Sequence, residues 1–123
     1  MKSTLLDSSC WIEFLADGPK ARTVAAYLKR PEDLIVPSII VYEVYKKIKL
    51  SKGEELASLA AAHLSKAEVS PLTESIALLA ADLSIEHKLA MADAVILATA
   101  RSHEAKIVTL DTDFKGLPGT VVL

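Results

Sequence analysis

Five short apolar runs, "STLL", "DLIVP", "AEVSPL", "KIVTL" and "TVVL", alternate along the chain with stretches of helical length and pattern. Strands buried on both faces read as short continuous apolar runs, and parallel neighbours need a long crossover, most often a helix. This alternation predicts an α/β chain with a parallel sheet between two layers of helices. At 123 residues there is room for about one such domain, spanning 1–123, and no second core.

The intervening segments carry helix signals. "DSS" offers capping side chains before "CWIEFLADG", where Trp11, Phe14 and Leu15 recur at helical spacing up to the Gly18-Pro19 stop. "ARTVAAYLKR" places Val24, Tyr27 and Leu28 on one face and ends before Pro31. "SIIVYEVYKKIKLSKG" is helical by length, with Ser38 as its expected cap and Gly53 as its stop. Leu56, Leu59, Ala60 and Leu64 form the expected stripe of the next helix, and Ile76, Leu79, Ala80 and Leu83 that of the one opened by Thr73. "MADAVILATARSHEA" makes a last helix, almost wholly apolar from Ala94 to Ala100.

Composition narrows the function classes. A net charge of -2 argues against bulk electrostatic capture of nucleic acid, although a site rich in carboxylates could mask a basic groove. The single cysteine, Cys10, excludes an internal disulfide and a thiolate zinc site. Asp7 and Glu13 interrupt the N-terminal apolar run, so no signal peptide is expected there, and no run is long enough to span a membrane. A cytoplasmic protein is the expectation. There is no phosphate-binding glycine loop, no Gly-x-Ser-x-Gly elbow and no dinucleotide fingerprint.

The acids are more informative. In an open parallel sheet, ligands collect beyond the carboxyl ends of the strands. Asp7 follows the first apolar run, Asp111 and Asp113 follow "KIVTL", Asp93 begins the apolar helix, and Glu43 sits within "IIVYEVY". Each has an ordinary reading: Asp7 and Asp93 as helix caps, Asp111 and Asp113 as turn residues, and Glu43 paired with Lys46 or Lys47. Should they converge, their mutual repulsion calls for protons or a cation. Oxygen-only donors without clustered His or Cys suit Mg²⁺ or Mn²⁺, whose common use is phosphodiester hydrolysis. His63, His87 and His103 are scattered and read as solvated or structural.

The segments "LLDSSCWIEFLADGP", "VPSIIVYEVYKK", "LLAADLSIEHKLAMADAVILATA" and "IVTLDTDFKGLPG", in that order, resemble the PIN-domain ribonucleases, in particular the VapC-type toxins of toxin-antitoxin modules. The resemblance implies a three-layer α/β/α fold with a five-stranded parallel sheet. It also implies a Mg²⁺- or Mn²⁺-dependent endoribonuclease acting through a metal-activated water, usually a homodimer, restrained by a small cognate antitoxin. Its acids map to Asp7, Glu43, Asp93 and Asp111. Asp7 and Asp93 would hold the metal directly, Glu43 and Asp111 would complete the site, and Asp113 would be an outer ligand. Ser9 and Thr109 fall where hydroxyls support the acids, and Cys10 stands where a small residue is common. Lys46, Lys47, Lys49, Lys52, Arg101 and Lys115 are the basic residues that could meet RNA. Two rivals also gather acids around Mg²⁺, a receiver-like signalling domain and a small-molecule phosphatase. The phosphatase wants its Asp-x-Asp pair after the first strand, where this chain has Asp7 followed by serines.

Overall fold

The computed structural model describes residues 3–123. Its five strands are β1 (Thr4–Leu6), β2 (Ile35–Pro37), β3 (Glu68–Ser70), β4 (Lys106–Thr109) and β5 (Thr120–Val122). Its six α-helices are α1 (Ser8–Leu15), α2 (Ala21–Ala25), α3 (Ser38–Lys52), α4 (Glu54–Leu64), α5 (Glu74–His87) and α6 (Met91–Ser102). All strand pairs are parallel. One sheet has the order β1-β4-β5, a second pairs β2 with β3, and a single parallel bridge between Thr4 and Leu34 joins them at the seam.

Register follows burial. Leu5 pairs with Ile107 and Leu6 with Val108. Consecutive strand residues point to opposite faces, yet all four are at most 1% exposed. Helices therefore cover both faces: α1 lies against β1 and β4, and α6 against β2 and β4. Residues Ala94 to Ala100 of α6 are all buried, which explains their unbroken apolar character.

Three local expectations are corrected. Ser38 is the first residue of α3 and not its cap; Pro37 occupies that position, its lost N–H being no cost at a helix start. On α4 the buried stripe is Ala57, Ala60 and Leu64, while Leu56 and Leu59 face outward, because α4 closes on α3 through its small residues. The helix predicted over "ARTVAAYLKR" is regular only to Ala25 and tightens to a 3₁₀ turn at Ala26–Leu28.

Because the strands are parallel, their carboxyl ends share one edge. Asp7 is the first residue beyond β1, α3 departs directly from β2, and Asp111 lies two residues beyond β4. Helix α6 leads through a short turn into the amino end of β4, so its own first turn, with Asp93, lies toward the carboxyl edge.

Thr73 caps α5 as expected, accepting the Ile76 N–H at 3.2 Å. Thr73→Ala should cost about 1 kcal/mol. The urea midpoint would fall at constant m-value; an unchanged midpoint would remove the cap from the forces holding α5.

Candidate metal centre

Asp7 has the backbone of a cap and the side chain of something else. Its N–H donates to the Val108 carbonyl at 3.0 Å, and its own carbonyl accepts from the N–H groups of Cys10 and Trp11. The carboxylate makes no capping bond to α1. Instead Oδ2 accepts the hydroxyls of Thr109 at 2.8 Å and Ser9 at 3.0 Å. Each hydroxyl oxygen in turn accepts a backbone N–H from the β4 loop, Thr109 from Asp111 at 2.9 Å and Ser9 from Leu110 at 3.0 Å. Two small side chains thus tie the ends of β1 and β4 together around a carboxylate that is only 4% exposed.

The turn reading holds for one oxygen of Asp111. Its Oδ1 accepts the Asp113 N–H at 2.9 Å, closing a 3₁₀ turn over Thr112–Phe114 whose Phe114 ring is fully buried. That turn brings both aspartates to α6. Oxygens of Asp93, Asp111 and Asp113 all lie within 4.8 Å of one another. Asp93 is the third residue of α6 and makes no cap; Ala90 holds that position.

Glu43 is not paired with its neighbouring lysines. Lys46 reaches the Tyr42 hydroxyl at 3.2 Å instead, and no Lys or Arg forms an ion pair with Glu43 among the described residues. Its Oε1 is buried without a hydrogen-bond partner. Burial raises its pKa, a hydrogen bond from Ser8 opposes the rise, and the charge of Asp7 adds to it. Asp93 is lifted from 3.8 to about 6, first by burial, then by the charges of Asp7, Asp111, Asp113 and Glu43. Asp93 therefore feels all four of the other acids and Glu43 feels Asp7, although the close oxygen cluster is Asp93, Asp111 and Asp113.

This donor set fits a hard dication. Carboxylates that share a field with no balancing cation bind a divalent ion or take up protons, and all-oxygen ligands suit Mg²⁺ or Mn²⁺. An orphaned, buried Glu43 oxygen is the kind of group that such an ion or its waters would satisfy.

The basic residues divide. Lys46 and Lys47 sit one turn beyond Glu43 and are exposed; Lys49 lies further along α3 and meets Glu54 at 3.7 Å on the surface, and exposed Lys52 ends the helix. Arg101 is not brought to the acids: it is eight residues beyond Asp93 on α6, about 12 Å along the axis and toward the opposite edge. Lys115 is exposed beside buried Phe114.

Sequence reading missed Lys88 and His87, which line a hollow of about 360 Å³ with Leu89, Ala90, Asp93 and Asp113. Ser8 was missed as well. The available signals were "EHK", five to seven residues before Asp93, and the doubled serine after Asp7. His63, packed against Trp11 and Phe14, and His103, bonded to Ser70 at 3.1 Å, are structural.

The raised Asp93 pKa has a measurable sign. Between pH 3.8 and 6 the native state binds more protons than the unfolded chain, so cation-free stability falls as pH rises through that window. Relative to Asp93→Asn, wild-type melting temperature should decline with pH there, and millimolar Mg²⁺ or Mn²⁺ should restore it at neutral pH in the wild type only. Parallel curves for the two proteins would contradict this.

A PIN domain family model matches residues 4–119. Among solved structures, a toxin-antitoxin complex from Klebsiella pneumoniae is 32% identical, with 98% of this chain and 97% of that chain covered and a TM-score of 0.80. FitAcB from Neisseria gonorrhoeae is 26% identical over 98% and 97%, with a TM-score of 0.77. The Mycobacterium tuberculosis VapC20, a sarcin-ricin loop cleaving toxin, shares the fold at 19% identity over 95% and 96%, with a TM-score of 0.79. No curated protein matches by sequence. A family model that spans nearly the whole chain, joined to a one-third-identical structural relative, means that the chain belongs to the PIN-domain family.

Proposed function

We propose that this chain is a Mg²⁺- or Mn²⁺-dependent endoribonuclease and the toxin of a type II toxin-antitoxin pair. The observation that carries the reading is the convergence of Asp93, Asp111 and Asp113 at the carboxyl edge, beside Asp7 and a Glu43 whose buried Oε1 has no hydrogen-bond partner. The toxin role is supported by the likeness to the Klebsiella pneumoniae toxin-antitoxin complex, and the partner it implies is a small antitoxin protein.

Asp93, Asp111 and Asp113 would hold the ion, with Asp7 and Glu43 completing its surroundings. When bound, the cation supplies neutralisation of charge at the scissile phosphate and a lowered pKa for the attacking water. The protein's own groups do the rest. Thr109 and Ser9 fix the Asp7 carboxylate through Oδ2, so its orientation is set before any ligand arrives. Glu43 Oε1, buried and free of other bonds, is placed to take a proton. Lys88 on the wall of the hollow and Lys46 and Lys47 on α3 supply positive charge for the RNA phosphates.

A homodimer is supported by apolar side chains left outside on α5 and α6, among them Leu78, Ile85 and Met91, which are 64%, 80% and 74% exposed. A strict monomer at micromolar concentration in light scattering would count against it.

Purified protein incubated with total RNA should produce new 5′-phosphate ends in Mg²⁺ and none in EDTA. Asp7→Asn and Asp93→Asn should each reduce cleavage by roughly 100-fold or more with unchanged circular dichroism. Undiminished cleavage in either folded variant would overturn the assignment.

A further inference from the structure

Helix α3 presents two different faces. Ile40, Val44 and Ile48 bury one. On the other, Tyr42, Tyr45, Lys46, Lys49 and Leu50 line an open groove of about 310 Å³. Tyr42 is 60% exposed and Leu50 80%, so neither is held there by the core.

The groove repeats one arrangement. The Lys46 ammonium lies 5.4 Å from the centroid of the Tyr42 ring and donates to its hydroxyl at 3.2 Å. Three residues on, Lys49 lies 5.3 Å from the Tyr45 ring and donates to its hydroxyl at 3.5 Å. Each ring therefore has a cation stationed beside it. Lys46 has no carboxylate partner among the described residues, and the Glu54 partner of Lys49 is itself exposed, leaving the stripe cationic.

Tyr42 is exposed and Tyr45 is half-buried, one side packed on the core and the other open to the groove. Rings so presented and interleaved with cations are what a single strand of nucleic acid requires: flat faces for its bases and positive charge for its phosphates. An acidic peptide would use the cations and leave the ring faces idle. The stripe begins one residue before Glu43 on α3 and lies about 100° round the helix from it, so it flanks the acid centre without being part of it.

We propose that Tyr42 and Tyr45 stack successive unpaired bases of the RNA while Lys46 and Lys49 hold the phosphates between them. This face of α3 then sets which nucleotide lies over the acids. The inference rests on the ribonuclease reading above, and binding is measured separately from cleavage so that the two can fail independently.

The test is fluorescence anisotropy in EDTA, where no cleavage occurs, with a labelled oligouridine and the same strand annealed to oligoadenosine. Tyr42→Ala and Tyr45→Ala should each weaken binding of the single strand roughly tenfold, whereas Tyr42→Phe and Tyr45→Phe should stay near wild type. The Lys46→Ala, Lys49→Ala double variant should lower the slope of log K against log salt by about 1.4. In Mg²⁺, cut sites on a defined RNA should shift or blur in the alanine variants. Wild-type preference for the duplex, no wild-type binding of the single strand, or unchanged affinity and slope in the variants would overturn the platform. So would halving of the molar mass in Tyr42→Ala, which would make this face a contact between copies. Binding as described with no cleavage in Mg²⁺ would retire the nuclease reading and keep the platform; cleavage with variants that bind and cut normally would do the reverse.

Discussion

The bond from the Thr109 hydroxyl to Asp7, between residues 102 positions apart in sequence, is the joint on which the carboxyl edge depends. It settles how the loop after β1 meets the loop after β4. Ser9 reinforces it from the other side, and both hydroxyls pass the constraint on by accepting N–H groups of Leu110 and Asp111. Asp111 is therefore positioned through its backbone by the same groups that orient Asp7. Each hydroxyl directs its one proton to Asp7 and accepts one backbone N–H, and the two hydroxyl oxygens lie 3.3 Å apart.

Against that fixed pair, the other acids are arranged at a cost. Asp93 is half-buried in a field of like charges, and Glu43 keeps a buried oxygen with nothing to bind. Neither arrangement stabilises the fold by itself; both would be relieved by a dication. Much of the cost falls at the edge of the sheet, above Leu5, Leu6, Ile107 and Val108, which are sealed between helix layers; within the core the Trp11 indole N–H is also buried without an acceptor.

The architecture was legible because it is written in local pattern. Apolar runs such as "KIVTL" could be little other than buried strands, and the Thr73 cap announced α5 with its own chemistry. The sites of failure were those where packing or a distant residue decides. Leu56 and Leu59 look like core by periodicity, yet the alanines of α4 fit against α3 more closely and turn the leucines outward. Asp7 satisfies the local criteria for a helix cap, yet its carboxylate is engaged by Ser9 two residues on and by Thr109 far along the chain, and the latter contact no local pattern announces. Arg101 is near Asp93 in sequence, but a helix carries it about 12 Å away. Lys88 went unnoticed because it belongs to a turn, with φ of 56° in the left-handed region, where periodicity gives no guidance.

Cys10 stands three residues from Asp7 and fully inside the protein, its thiol directed at the Val108 carbonyl and its pKa pushed up to about 12 by burial and by the neighbouring carboxylate. Since oxidants and alkylating agents attack the thiolate, a sulfur so placed is chemically silent. The acid centre therefore has no reactive thiol beside it.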